Sequence, residues 1–284
     1  MIERVGIIGG GQMGGGIAEV CAKAGVDTIV VEVSDELVDR SRQGIERSLD
    51  NAVERKKLDP EGREAALSRL VFATDRAVLA DRELVIEAVI EDEALKLEIF
   101  SDLDGIVEAD DAILATNTSS LPVTRIAQAT TRPEAVVGMH FFNPAPIMPL
   151  VEIVRTVVST DDTVERAAAF AGEQLGKTVV HAKDRAGFIV NKLLCPYLFE
   201  AIRMLEEGFA SREDIDAAMV GGVGYRMGPL ALSDLIGNDT LLAVADAFSA
   251  EYKDSRYAAP PLLRRMVEAG LFGRKSGRGF YEYE

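Results

Sequence analysis

The stretch VGIIGGGQMGGGIA, residues 5–18, turns from an apolar run into a glycine-rich segment within four residues. Gly9, Gly11 and Gly14 fall in the spacing GxGxxG, after an apolar strand pattern at 5–8 and before a helical pattern at 17–24, with Gln12 and Met13 inside the same turn. In that context the first glycine permits a tight turn and the second lets a pyrophosphate approach the backbone. The third lets the helix pack on the strand while its N-terminus faces the anion. Eighteen residues past Gly14, Glu32 closes the next strand pattern. A carboxylate there accepts hydrogen bonds from an adenosine ribose and repels a 2′-phosphate, so the expected cofactor is NAD rather than NADP. Gly10, Gly15 and Gly16 lie outside the spacing and have no role in it.

Outward from this turn, β-branched runs alternate with helical patterns. Strands are expected at 4–9, 28–32, 70–74, 84–89, 113–116, 136–140, 151–155 and 178–181. Alternation of this kind predicts βαβ units and an N-terminal Rossmann-type, doubly wound α/β sheet. Helix starts are marked by Ser34, by Asp59 ahead of Pro60, and by Asp161 or Asp162, and Gly25 and Gly176 are placed to end two helices. After Asp184 no convincing strand remains. The expected division is an NAD-binding domain at 1–183 and an all-α domain for substrate and dimerisation at 184–284. Residues 188–205 approach the length of a membrane span, yet Asn191, Lys192, Pro196, Glu200 and Arg203 interrupt them, which predicts a buried helix covered in part by a second subunit.

Of 284 residues, 31 are basic and 47 acidic, a net charge of −16 that disfavours nucleic acid or an anionic membrane as partner. The N-terminus lacks the apolar core and cleavage site of a signal peptide, so a cytoplasmic protein is expected. Two cysteines, Cys21 and Cys195, and two histidines provide neither a disulfide framework nor a zinc knuckle.

His140 closes the apolar run AVVGMH at the carboxyl end of a predicted strand, where doubly wound sheets bind their ligands. A neutral imidazole there suits removal of an alcohol proton, with a carboxylate on its other nitrogen fixing the tautomer. Glu152, on the next strand, can supply that carboxylate, although spacing alone does not bring the two together.

Seven segments together carry a resemblance over the whole chain: VGIIGGGQMGGGIA, ELVIEAVIEDEALK, ATNTSSLP, GMHFFNPAPIMPLVEIV, KDRAGFIVNKLL, MGPLALSDLIG and GRKSGRGFY. The chain resembles the short-chain 3-hydroxyacyl-CoA dehydrogenases, most of all the bacterial 3-hydroxybutyryl-CoA branch. The resemblance implies hydride transfer between NAD and the 3-position of a short-chain acyl-CoA, with His140 as general base and Glu152 as its partner. It implies that Ser119 and Asn191 hydrogen-bond the substrate near the nicotinamide, and that Asn117, Asn143, Glu91 and Lys96 contact or frame the cofactor. It further implies that Ser48, Lys56 and Lys57 help hold the CoA moiety, that the S isomer is the substrate, and that the helices form a homodimer. Glu32 departs from the family, in which Asp is frequent at this position. A 3-hydroxyisobutyrate-type dehydrogenase, with Lys192 as its acid or base, and a non-catalytic NAD-binding protein on the same scaffold are the competing readings.

Overall fold

The computed structural model describes residues 1–283, which divide into two compact units, Met1–Asp184 and Arg185 onward. The first unit runs β1 (Arg4–Ile8), α1 (Gln12–Lys23), β2 (Asp27–Val31), α2 (Asp35–Glu54), α3 (Pro60–Ser68), β3 (Leu70–Ala73) and β4 (Leu84–Glu87). It continues with α4 (Glu93–Ile106), β5 (Ile113–Thr116), α5 (Val123–Ala127), β6 (Val136–Phe141), β7 (Leu150–Arg155), α6 (Asp161–Ala169) and β8 (Thr178–Lys183). These strands form one sheet in the order β3-β2-β1-β4-β5-β6-β7-β8. The order reverses between β1 and β4, and the crevice at such a switch point is where a doubly wound sheet binds its ligand.

All neighbours are parallel except β6 and β7. The reversal follows from chain length. A parallel return needs a crossover of a dozen or more residues, and only residues 142–149 separate the two strands. Strands buried on both faces read as continuous apolar runs, as β4, β5 and β6 do.

Helix ends follow local chemistry. The Ser34 hydroxyl accepts from Leu37 N and the Asp59 carboxylate from Gly62 N, with Pro60 at the first helical position. Asp161 and Asp162 are not the cap of α6. Thr160, in extended backbone, accepts from Thr163 N, and the two aspartates occupy the first turn, where the helix dipole favours them. Helix α1 also begins five residues before the apolar pattern expected at 17–24, because its first turns are made of glycine, a poor helix former. Asp184 closes the unit by accepting from Val123 N at 2.9 Å and Thr124 N at 2.6 Å at the start of α5.

The second unit holds α7 (Val190–Glu206), α8 (Arg212–Val223), α9 (Pro229–Ile236), α10 (Asn238–Tyr252) and α11 (Pro261–Glu268), with isolated bridges Gly273 to Arg278 and Arg278 to Glu282 near its end. Its core gathers Cys195, Leu198, Phe199 and Ile202 from α7 with Leu230, Leu241, Phe248 and Leu263. Helix α7 is not buried all round, since Leu193 remains 73% exposed on its outer face. Among the described residues, no helix is long and apolar enough to cross a membrane.

Candidate active site

The glycine turn sits at the switch point. Gly9 adopts φ +88°, open to glycine, and a Cβ at Gly14 would lie 1.7 Å from Gly9 O, so helix and strand meet only without a side chain there. Gly11 differs: a Cβ at that position meets nothing within 4 Å. The protein's own packing does not require glycine at 11; the space in front of it is left for a ligand. Gly11 is also the N-cap of α1 without any side-chain cap, leaving the first N–H groups of the helix for an anion. Gln12 is exposed at this end, and Met13 packs against the core.

Glu32 follows β2 and accepts from Gly10 N at 2.6 Å, so its carboxylate is fixed beside the turn. Two grooves share it. One, of about 490 Å³, is lined by Gly9, Val33, Val89, Leu95 and Ile99 and also by the polar Thr74, Asp75, Arg76 and Asp102. The other, of about 470 Å³, is lined by Gly11, Arg40, Arg47, Ser48 and Asn143. An open cradle at Gly11 and a fixed carboxylate at Glu32 beside a second groove fit NAD, for which the turn would hold the pyrophosphate and Glu32 the ribose.

Beyond the turn, β4 ends at Glu87, fully buried, whose carboxylate accepts from Lys96 Nζ at 2.6 Å, Thr116 Oγ1 at 2.7 Å and Val89 N at 2.7 Å. Lys96 is itself 1% exposed and reaches Glu91 at 3.5 Å. Glu91 accepts from Thr118 Oγ1 at 2.5 Å, Ser119 N at 3.0 Å and Ser120 N at 3.1 Å. Desolvation opposes ionisation of Glu91, but Lys96 and these hydrogen bonds outweigh it and hold the carboxyl below the usual glutamate range. The TNTSS segment is thereby held at the end of β5, with Ser119 half-buried. Asn117 Oδ1 accepts from Phe141 N at 2.9 Å and ties this segment to β6.

His140 and Glu152 are paired residues of β6 and β7, with Nδ1 2.7 Å from Oε2. Glu152 is fully buried and His140 is 5% exposed, its ring packed 4.5 Å from that of Phe142. An ionised carboxylate only accepts, so Nδ1 carries the proton toward Glu152. This is the arrangement of a general base with its orienting acid.

Residues 4–185 match the model of the 3-hydroxyacyl-CoA dehydrogenase NAD binding domain, and residues 187–283 that of the C-terminal domain of the same family. The chain belongs to the 3-hydroxyacyl-CoA dehydrogenase family. As a family member it is an NAD-dependent oxidoreductase. It is 54% identical over 282 residues to the 3-hydroxybutyryl-CoA dehydrogenase of Mycobacterium tuberculosis, covering 99% of each chain. To the human mitochondrial hydroxyacyl-coenzyme A dehydrogenase it is 42% identical over 291 residues, covering 100% of this chain and 92% of the human one. Among solved structures, FadB2 of M. tuberculosis superposes with a TM-score of 0.99 at 54% identity, covering 100% of this chain and 99% of that one. The (S)-3-hydroxybutyryl-CoA dehydrogenase PaaH1 of Ralstonia eutropha does so with 0.96 at 42% identity, covering both chains completely.

In this dehydrogenase the remaining expected residues fall in three places. Ser48 lines the second groove with Arg40 and Arg47. Lys56 and Lys57 are exposed beyond the end of α2, Lys56 in the left-handed region at φ 57°, and neither lines that groove. Asn191 stands in the first turn of α7. Glu87, Thr118 and Ser120 escaped the sequence reading. A glutamate inside an apolar strand, followed nine residues later by a lysine, was the available signal for the first of them.

Proposed function

We propose that this dehydrogenase catalyses reversible oxidation of a short-chain (S)-3-hydroxyacyl-CoA, with 3-hydroxybutyryl-CoA and acetoacetyl-CoA as the substrate pair. The observation that carries the catalytic assignment is the buried His140–Glu152 pair at the carboxyl end of β6. NAD, when bound, supplies the two-electron acceptor for the hydrogen at C3. Glu152 holds Nδ1–H, so Nε2 of His140 takes the hydroxyl proton as oxidation proceeds, and the carboxylate stabilises the imidazolium formed. In the reverse direction His140 returns that proton to the carbonyl oxygen. Ser119 and Asn191 position the oxygen at C3; Glu91, Lys96, Asn117 and Asn143 frame the cofactor; Ser48, with Lys56 and Lys57, serves the CoA moiety.

The family names of its relatives support the substrate class. Against a 3-hydroxyisobutyrate-type mechanism, Lys192 lies 4.4 Å over the Tyr252 ring, a cation–π contact that occupies the lysine that reading needs. The helical unit serves as the dimer face, a reading supported by exposed Leu193, Phe209 and Val223. A cytoplasmic location agrees with the two unpaired, buried cysteines. The test is NADH oxidation by acetoacetyl-CoA followed spectrophotometrically. Absence of turnover with purified, NADH-binding protein overturns the assignment.

A further inference from the structure

Residues 142–149, FNPAPIMP, join the strand of His140 to that of Glu152 and carry Asn143 on the wall of the second groove. Three of these residues are prolines, which bring carbonyls without N–H groups, so the loop is rich in acceptors and poor in donors. Its own turn uses Pro144 O, which accepts from Ile147 N at 3.0 Å and Met148 N at 2.9 Å. The carbonyls of Ala145 and Met148 are taken by one side chain from outside the loop: Lys177 Nζ donates to them at 2.7 and 2.9 Å. Lys177 is held in turn, because Gly176 at φ +66° reverses the chain and Lys177 N donates to Ala171 O at 2.9 Å.

The loop also rests on α1. A Cβ at Gly16 would stand 3.1 Å from Pro146 Cδ and 3.2 Å from Ala145 Cβ, so one of the glycines outside the dinucleotide spacing makes room for this loop. Glu19 and Lys23 of α1 lie within electrostatic reach of Lys177, and Glu19 is itself paired with Lys23 at 3.5 Å. Burial first, then Lys23, pushes the Lys177 ammonium below the usual lysine range. Among the described residues no carboxylate forms an ion pair with this partly dehydrated ammonium, so it depends on the two carbonyls for compensation, and charge-assisted bonds of this kind are the strong ones.

We propose that Lys177 is a positioning residue of the dinucleotide site, its ammonium clamping residues 142–149 against α1 and so fixing where Asn143 stands. The His140–Glu152 pair is set by strand register and does not need the clamp. The inference rests on the reading of Asn143 as a cofactor-framing residue, and its two parts separate experimentally. In Lys177→Met, which removes both charge-assisted hydrogen bonds, amide exchange of Ile147 and Met148 should quicken by about tenfold or more, with β6 and β7 unchanged. The equilibrium Kd for NADH, read by fluorescence titration, should rise by a similar factor while kcat stays within about twofold, and Lys177→Arg, which keeps charge and donors, should recover most of the affinity. If Lys177→Met does not fold, Lys177→Gln carries the same test with a neutral donor. Unchanged exchange in the folded variant overturns the clamp, and faster exchange with unchanged NADH affinity overturns its role in positioning. Faster exchange in a protein whose wild type does not bind NADH upholds the clamp and overturns the cofactor reading instead.

Discussion

Nδ1 of His140 lies 2.7 Å from Oε2 of Glu152, and the two residues are direct cross-strand partners. Their contact is therefore built into the register of β6 and β7. His140→Ala should lower turnover roughly 10²- to 10⁴-fold, the range of general acid–base catalysis, with NADH affinity little changed. Glu152→Gln keeps the volume and removes the charge that stabilises the imidazolium formed in the reaction, so turnover should fall. Steady-state kinetics check both, and wild-type turnover in the Gln variant would count against the pair.

The two fingerprint glycines should fail in different ways. Gly11→Ala places a methyl where no protein atom lies within 4 Å, so the fold should survive while NADH affinity drops. Gly14→Ala drives a Cβ to 1.7 Å from Gly9 O and should destabilise the N-terminal unit itself. Thermal unfolding alongside NADH titration separates the two outcomes.

Glu32 should make NADH strongly preferred over NADPH, because its carboxylate is fixed beside Gly10 N and would face a 2′-phosphate. Glu32→Ala should narrow the preference mainly by weakening NADH. The ratio of kcat/KM for the two cofactors decides it, and equal use by the wild type would remove Glu32 from the ribose.

Lys96 and Glu87 form an ion pair buried on both sides, with side-chain exposures of 1% and 0%. Lys96→Ala leaves an uncompensated carboxylate and should cost about 3–5 kcal/mol in denaturant unfolding. Glu91 adds a pH dependence of known sign. Its folded carboxyl is held below the ordinary value of 4.5, so the stability it contributes is complete above that pH and is lost as pH falls through the folded value. Glu91→Gln should therefore flatten the loss of stability in the acid range below 4.5, measured as unfolding midpoints at successive pH values.

Lys56 and Lys57 are exposed and lie outside the groove lining, so a role in acyl-CoA binding would have to be electrostatic and long-range. The double Ala variant should raise KM for acetoacetyl-CoA at low salt and leave that for NADH nearly alone. The difference should fade at physiological ionic strength, where screening acts over about 8 to 10 Å. A wild-type KM at low salt would make the cluster only a helix end.

What the sequence by itself determined is what short-range chemistry determines. The glycine spacing between strand and helix, the carboxylate after β2, the eight β-branched runs and the caps at Ser34 and Asp59 are all properties of a few neighbouring residues, and each stands where it was expected. Only the tertiary structure decided which distant groups meet. Lys96 is buried on helix α4 because Glu87, at the end of strand β4, meets its ammonium, a strand-to-helix contact that the sequence pattern does not show. The facing of His140 and Glu152 depends on β7 running antiparallel, a consequence of the short 142–149 link that pairing register converts into a contact. Gly16 is unremarkable in any helical or turn pattern. Its reason is the approach of Ala145 and Pro146, more than a hundred residues away, held there by Lys177. Local propensity acts over a helical turn or a strand pair, whereas these contacts depend on the packing of strands and loops distant in the chain, which no window of sequence contains.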